Sequence, residues 1–128
     1  MLRDKSDIKP TEAELTLLNI LWKMGPATVR QIHENVSQTQ QTGYTTVLKI
    51  LQIMHEKALV IRDESNRAHV YAPANSEVVT QSSLLKDLVL KAFGGSKSKL
   101  VMRALDDSTS KEEIEDIRKL LNELEQQS

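Results

Sequence analysis

Three short runs of apolar residues at helical spacing crowd into the first 58 residues, and at Leu59 the spacing becomes that of strands. This switch of period is the strongest constraint on the fold, because a helix repeats a face every ~3.6 residues and a strand every ~2. The first run opens at Lys9-Pro10-Thr11-Glu12-Ala13-Glu14, where Thr11 and Glu14 have the spacing of a capping box. Leu15, Leu18, Leu21 and Trp22 follow on one face until Gly25-Pro26 stops the helix. Thr28 and Gln31, a second capping pair, open a short helix whose apolar positions are Val29, Ile32 and Val36. The connection Ser37-Gln38-Thr39-Gln40-Gln41-Thr42-Gly43 carries no apolar residue. A third helix is predicted from Tyr44 to Lys57, with Val47, Ile50, Leu51, Met54 and Ala58 marking its buried stripe.

Leu59-Val60-Ile61-Arg62-Asp63 and His69-Val70-Tyr71-Ala72 are β-prone runs on either side of Glu64-Ser65-Asn66-Arg67, which has turn chemistry at Ser65-Asn66. Pro73 ends the second run, since proline cannot donate to a ladder. Three helices and a two-stranded β-hairpin describe a winged helix-turn-helix, expected over residues 1–75. Past the joint Ala74-Asn75-Ser76 the helical period returns, making the chain mainly α. One helix is predicted from Ser76 to Phe93, carrying Val78, Leu84, Leu85, Leu88, Val89 and Ala92, and Gly94-Gly95 breaks it. A short helix from Ser96 to Leu105 follows. Ser110 and Glu113, a third capping pair, open a helix to Gln126 in which Ile114, Ile117, Leu121 and Leu124 are spaced as a seam. A segment of about 50 residues rarely builds a sufficient core of its own. Residues 76–128 are therefore expected to be a helical dimerisation region, with Leu84, Leu85, Leu88, Val89, Ile114, Ile117, Leu121 and Leu124 facing a second copy.

Composition removes several functions. No cysteine is present, so there is no disulfide, thiolate metal site or cysteine nucleophile. His33, His55 and His69 fall in three elements without metal-ligand spacing, and Gly94-Gly95 follows a helix rather than a strand. The acids Asp106-Asp107 and Glu112-Glu113-Glu115-Asp116 cluster at a helix start, where the dipole favours them. No enzyme, metal or cofactor is expected. Trp22, Tyr44, Tyr71 and Phe93 are too scattered to stack single-stranded bases. No apolar run approaches the ~20 residues of a bilayer span, and Met1-Leu2-Arg3-Asp4-Lys5-Ser6-Asp7 lacks a signal-peptide stretch, so a cytoplasmic location without membrane insertion is expected. With 17 basic against 18 acidic residues there is no global basic field. Binding to double-stranded DNA needs only a local face.

The third helix offers such a face. Thr45, Thr46, Lys49, Gln52 and Glu56 fall opposite its apolar stripe, with Ile53 among them, and no carboxylate occurs between Gln38 and His55. Short donors and acceptors plus one cation suit a helix entering the major groove. Arg67, near the hairpin tip, suits phosphates or a minor groove, and Thr28 and Arg30 stand where a helix start meets a phosphate. Arg62 reads as balancing Asp63 and Glu64.

Pro10-Thr11-Glu12-Ala13-Glu14, Leu21-Trp22, Thr28-Val29, Tyr44-Thr45-Thr46-Val47-Leu48-Lys49, Tyr71-Ala72-Pro73 and Phe93-Gly94-Gly95-Ser96 together resemble the penicillinase and methicillin-resistance repressors of the BlaI/MecI type, from about Ile8 to Glu125. The resemblance implies a homodimeric winged-helix repressor of β-lactamase and antibiotic-resistance genes that binds an inverted-repeat operator. It implies release through a membrane-bound sensor metalloprotease and cleavage in the dimerisation helices. Carried over by position, Thr45, Thr46 and Lys49 serve the major groove and phosphates and Arg67 the wing. The candidate DNA-binding set is Thr28, Arg30, Tyr44, Thr45, Thr46, Lys49 and Arg67. Three departures stand out. The Asn-Phe bond cut in well-known members is absent, and the matching region, Leu100-Val101-Met102-Arg103-Ala104-Leu105, leaves Met102, Arg103 and Ala104 as the candidate cleavage region. The cysteine-rich tail of a copper-responsive branch is missing. Ala58 replaces a common glycine, and Ile53 a commonly cationic or polar residue. The competing readings are a winged-helix protein-interaction module and a repressor gated by a small ligand.

Overall fold

The computed structural model describes residues 9–128; the start of the chain through Ile8, on which the leader reading rests, lies outside the described residues. The chain forms two compact units, divided between Leu85 and Lys86. The elements of the first are α1 (Glu12–Met24), β1 (Ala27–Thr28), α2 (Val29–Val36), α3 (Tyr44–Glu56), β2 (Val60–Asp63) and β3 (Val70–Pro73). The division falls inside α4 (Glu77–Ala92), which is followed by α5 (Lys97–Ala104) and α6 (Lys111–Gln127).

Local chemistry explains where the helices begin. At α1 the Glu14 amide donates to Thr11 Oγ1 (3.2 Å) and the Thr11 amide to Glu14 Oε1 (2.8 Å). At α2 the Gln31 amide donates to Thr28 Oγ1 (3.2 Å) and the Thr28 amide to Gln31 Oε1 (2.9 Å). Both predicted capping boxes are therefore closed. The third is half closed. The Glu113 amide donates to Ser110 Oγ (3.1 Å), but the Glu113 carboxylate takes the Ser110 hydroxyl (3.4 Å) rather than its backbone N–H.

The sheet has three strands where the sequence predicts two, in the order β1-β3-β2. Both pairings are antiparallel, with Ala27 opposite Tyr71, Thr28 opposite Val70 and Arg62 opposite Tyr71. The extra strand was illegible because two residues cannot display a period. Thr28 is extended in any case as the N-cap of α2. Pro73 closes β3 opposite Val60, and the next amide, Ala74, donates to Leu59 O (3.0 Å).

The core lies where α1, α2 and α3 pack on the sheet. Leu18, Leu21, Ile32, Val47, Leu51, Met54, Val60 and Tyr71 are almost fully buried. Two polar ties fasten this layer. Glu14 is buried, and both its carboxylate oxygens accept from Lys57 Nζ at 3.0 Å, joining the start of α1 to the end of α3. Trp22 Nε1 donates to Asn75 O at 3.0 Å. Beyond α3, Ala58 adopts a left-handed φ of 62°, while the Ala58 amide donates to His55 O and the Leu59 amide to Met54 O. This pair of bonds is a Schellman ending.

In the second unit, Gly94 (φ 57°) and Gly95 (φ 85°) turn the chain, and the Gly95 amide closes on Val89 O at 2.9 Å. Ser96 caps α5 by accepting from the Lys99 amide. Neither α5 nor α6 has a buried residue.

Candidate nucleic-acid interface

The α2–turn–α3 segment presents α3 outward because Val47, Leu51 and Met54 anchor its opposite side in the core. Its entry is set by the polar turn. The Ser37 amide donates to His33 O, the Gln40 amide to Val36 O, and His33 Nε2 lies 2.8 Å from Thr42 O. The His33 ring also meets Tyr44 edge-on, with centroids 5.8 Å apart at 77°. His33 thus fixes the position of the first residue of α3. The sequence offered it only as a candidate metal ligand or catalytic histidine, since its partners come from the turn rather than from a motif.

Thr45, Thr46 and Lys49 stand exposed on the outer face of α3, as the sequence predicts. Lys49 makes no ion pair or hydrogen bond among the described residues. The N-terminus of α3 differs from those of the other five helices. Gly43 supplies no side-chain cap, whereas Thr11, Thr28, Ser76, Ser96 and Ser110 each accept a first-turn amide. The leading amides of α3 therefore remain free, and its first turn contains no acid. Partial positive charge and open donors are what a phosphate requires.

A concavity beside α3 gathers residues of β1, α2, α3 and the β2–β3 wing. Thr28, Arg30, Tyr44 and Arg67 of the predicted set line it, together with Gln52, which the helical period puts on the outer side of α3, and His69, which the sequence did not connect with DNA. Arg67 is exposed and forms no ion pair among the described residues. Arg30 is also exposed, in an i,i+4 pair with Glu34 at 3.4 Å. Arg62, at the back, is committed elsewhere. Its guanidinium is held above the usual arginine pKa first by the Tyr71 side chain and then by the paired Glu64 carboxylate. Its Nε is buried without a partner. The wing turn itself is tied by Asp63 Oδ1, which accepts from the Ser65 amide (2.9 Å) and hydroxyl (2.6 Å). The hydroxyl and then the amide hold the Asp63 carboxyl below the usual aspartate range.

The predicted dimerisation residues sit on α4 and α6. Leu85 (49%), Leu88 (47%), Ile114 (41%), Leu121 (54%) and Leu124 (52%) are exposed in the single chain, an apolar set that water does not favour. Leu84 and Ile117 are half-buried, and Val89 is already buried within the chain. Met102, Arg103 and Ala104 form the exposed last turn of α5. Among the described residues no carboxylate, histidine and cysteine grouping is arranged to hold a metal, and no helix is long and apolar enough to cross a membrane.

Comparison with known proteins places these features in company. Residues 10–123 match the family model described as Penicillinase repressor. The chain is 30% identical over 115 residues to the transcriptional regulator BlaI of Mycobacterium tuberculosis, covering 89% of this chain and 83% of that one. It is 22% identical over 120 residues to the methicillin resistance regulatory protein MecI of Staphylococcus aureus, covering 93% and 98%. Over 113 residues it is 22% identical to a penicillinase repressor of Staphylococcus aureus, covering 88% and 90%.

Proposed function

This chain belongs to the penicillinase repressor family, a family of transcriptional repressors and not of enzymes, and from that premise we propose that it binds an inverted-repeat operator as a homodimer. Residues 1–75 form the DNA-binding domain in this reading, and residues 76–128 the dimerisation region. The observation that carries it is the outer face of α3, with exposed Thr45, Thr46 and Lys49, an uncapped N-terminus and no acid until Glu56. Thr45 and Thr46 offer hydroxyls and methyls to base edges, and Lys49 a cation to guanine or phosphate. Tyr44 borders the reading face. Thr28, Arg30 and Arg67 serve the flanking backbone, where contacts set register rather than sequence.

The apolar faces of α4 and α6 supply the second half of the reading. Burying Leu85, Leu88, Ile114, Leu121 and Leu124 against a second copy would join two α3 helices in one molecule, to read half-sites one turn of DNA, about 34 Å, apart. A lone winged helix with few free cations is a weak reader. Linking two raises affinity through effective concentration, so loosening the dimer releases the operator. A membrane-bound sensor metalloprotease acting at Met102-Arg103-Ala104 fits this logic, since those residues are exposed on α5. The genes under control are then those of β-lactam resistance, as the names of the relatives suggest.

The test is fluorescence anisotropy of the full chain on DNA from its own upstream region and on a scrambled duplex, at two salt concentrations. Selective binding saturating at one dimer per inverted repeat is expected. Equal, weak and salt-sensitive binding to both duplexes refutes the repressor reading in favour of a protein-interaction module. Dissociation by a soluble metabolite without cleavage replaces proteolytic release with ligand gating.

A further inference from the structure

Ile53 is out of place on the polar face of α3. It is 37% exposed and belongs neither to the buried core nor to the apolar residues packed against it, unlike its neighbours Leu48 and Ile50. It is also absent from the lining of the concavity that Arg67 and His69 border. At about 100° per residue, Ile53 falls between Lys49 and Thr46 on the outer arc of α3. The three are spaced i, i+3 and i+7 from Thr46, the pattern by which a helix lying in the major groove reaches bases over two turns. The concavity side of the same helix carries Tyr44, Leu48 and Gln52 instead.

Resting on the DNA-reading function proposed above, we infer that Ile53 is a specificity-determining residue that packs on the C5-methyl group of a thymine in each half-site. Thymine is the one base that presents an apolar group in the major groove, and apolar side chains pair with it. An aliphatic side chain here has no hydrogen-bonding group to offer any other base edge, and it gains only by excluding water from a methyl. Lys49 and Thr46, on either side, supply the polar contacts that set its register.

The experiment uses the full chain and a duplex selected by it from a double-stranded random-sequence pool. Each thymine of the selected half-site is replaced in turn by deoxyuridine, which lacks only the C5-methyl. Wild type should lose about fourfold in affinity at one or two positions, the equivalent of one buried methyl. Ile53→Ala should bind the thymine duplex more weakly and show no further loss at those positions. Ile53→Val, which keeps a branched methyl, should restore the sensitivity. The inference is overturned if Ile53→Ala retains the wild-type deoxyuridine profile, or if wild type tolerates every replacement. Enrichment of no sequence at all would instead refute the DNA-reading function on which the inference depends.

Discussion

Replacing Ala58 by glycine should stabilise the winged-helix unit. Ala58 holds a φ of 62° at the end of α3, a left-handed conformation in which its Cβ crowds the backbone. Such a conformation costs a non-glycine residue about 1–2 kcal/mol. The hydrogen bonds from the Ala58 and Leu59 amides to His55 O and Met54 O fix the geometry, so the chain cannot relax away from it. Glycine removes the crowding but raises the conformational entropy of the unfolded chain, offsetting about 0.4–1 kcal/mol. The net expectation for Ala58→Gly is a gain of roughly 0.5–1 kcal/mol, a rise of about 2–8 °C in melting temperature for a unit of this size. Trp22 is the only tryptophan and lies in this unit, with its Nε1 bonded to Asn75 O, so its fluorescence during urea unfolding reports the unit directly. The midpoint should move to higher urea with an unchanged slope. A variant equal to or less stable than wild type would refute the argument from backbone strain.

Glu14→Ala leaves Thr11 as the cap of α1 but removes the acceptor for the Thr11 amide and the tie to Lys57, and should cost about 2–3 kcal/mol in urea unfolding. Glu14→Gln keeps an acceptor for the Thr11 amide and should cost about half as much, because the half-exposed Lys57 can turn to water. Leu121→Asp should shift sedimentation from dimer to monomer and weaken operator binding while the Trp22 unfolding transition stays in place. Lys49→Ala should reduce operator affinity by roughly 1–3 kcal/mol if Lys49 meets a base, or lower the salt slope by about one if it meets phosphate.

How much of this was legible in the sequence depends on the range of the interactions involved. The helix starts at Thr11 and Thr28 were readable because capping is decided within four residues. The faces of α2 and α3 were readable because burial follows the period, as Ile32 and Leu51 show, and that of α1 in part, since Leu18 and Leu21 are buried as read but Leu17 is buried too and Leu15 and Trp22 are only half-buried. The strand Ala27–Thr28 was not, being too short to carry a period and formed only by pairing with residues 70–71. The same holds for the concavity, where Gln52, His69 and Arg67 meet only after α3 and the wing have folded. The roles of Glu14 and His33 were hidden for a related reason. Glu14 was visible as a cap, but its partner Lys57 lies 43 positions away, and His33 bonds the carbonyl of Thr42, which any residue would supply.

The account stands or falls on two α3 helices in adjacent major grooves. Dimethyl sulfate interference on the selected duplex reads guanine N7, which lies in the major groove. Two interfering patches one helical turn apart, about 34 Å, are predicted. A single patch, or full binding to the methylated duplex, would contradict it.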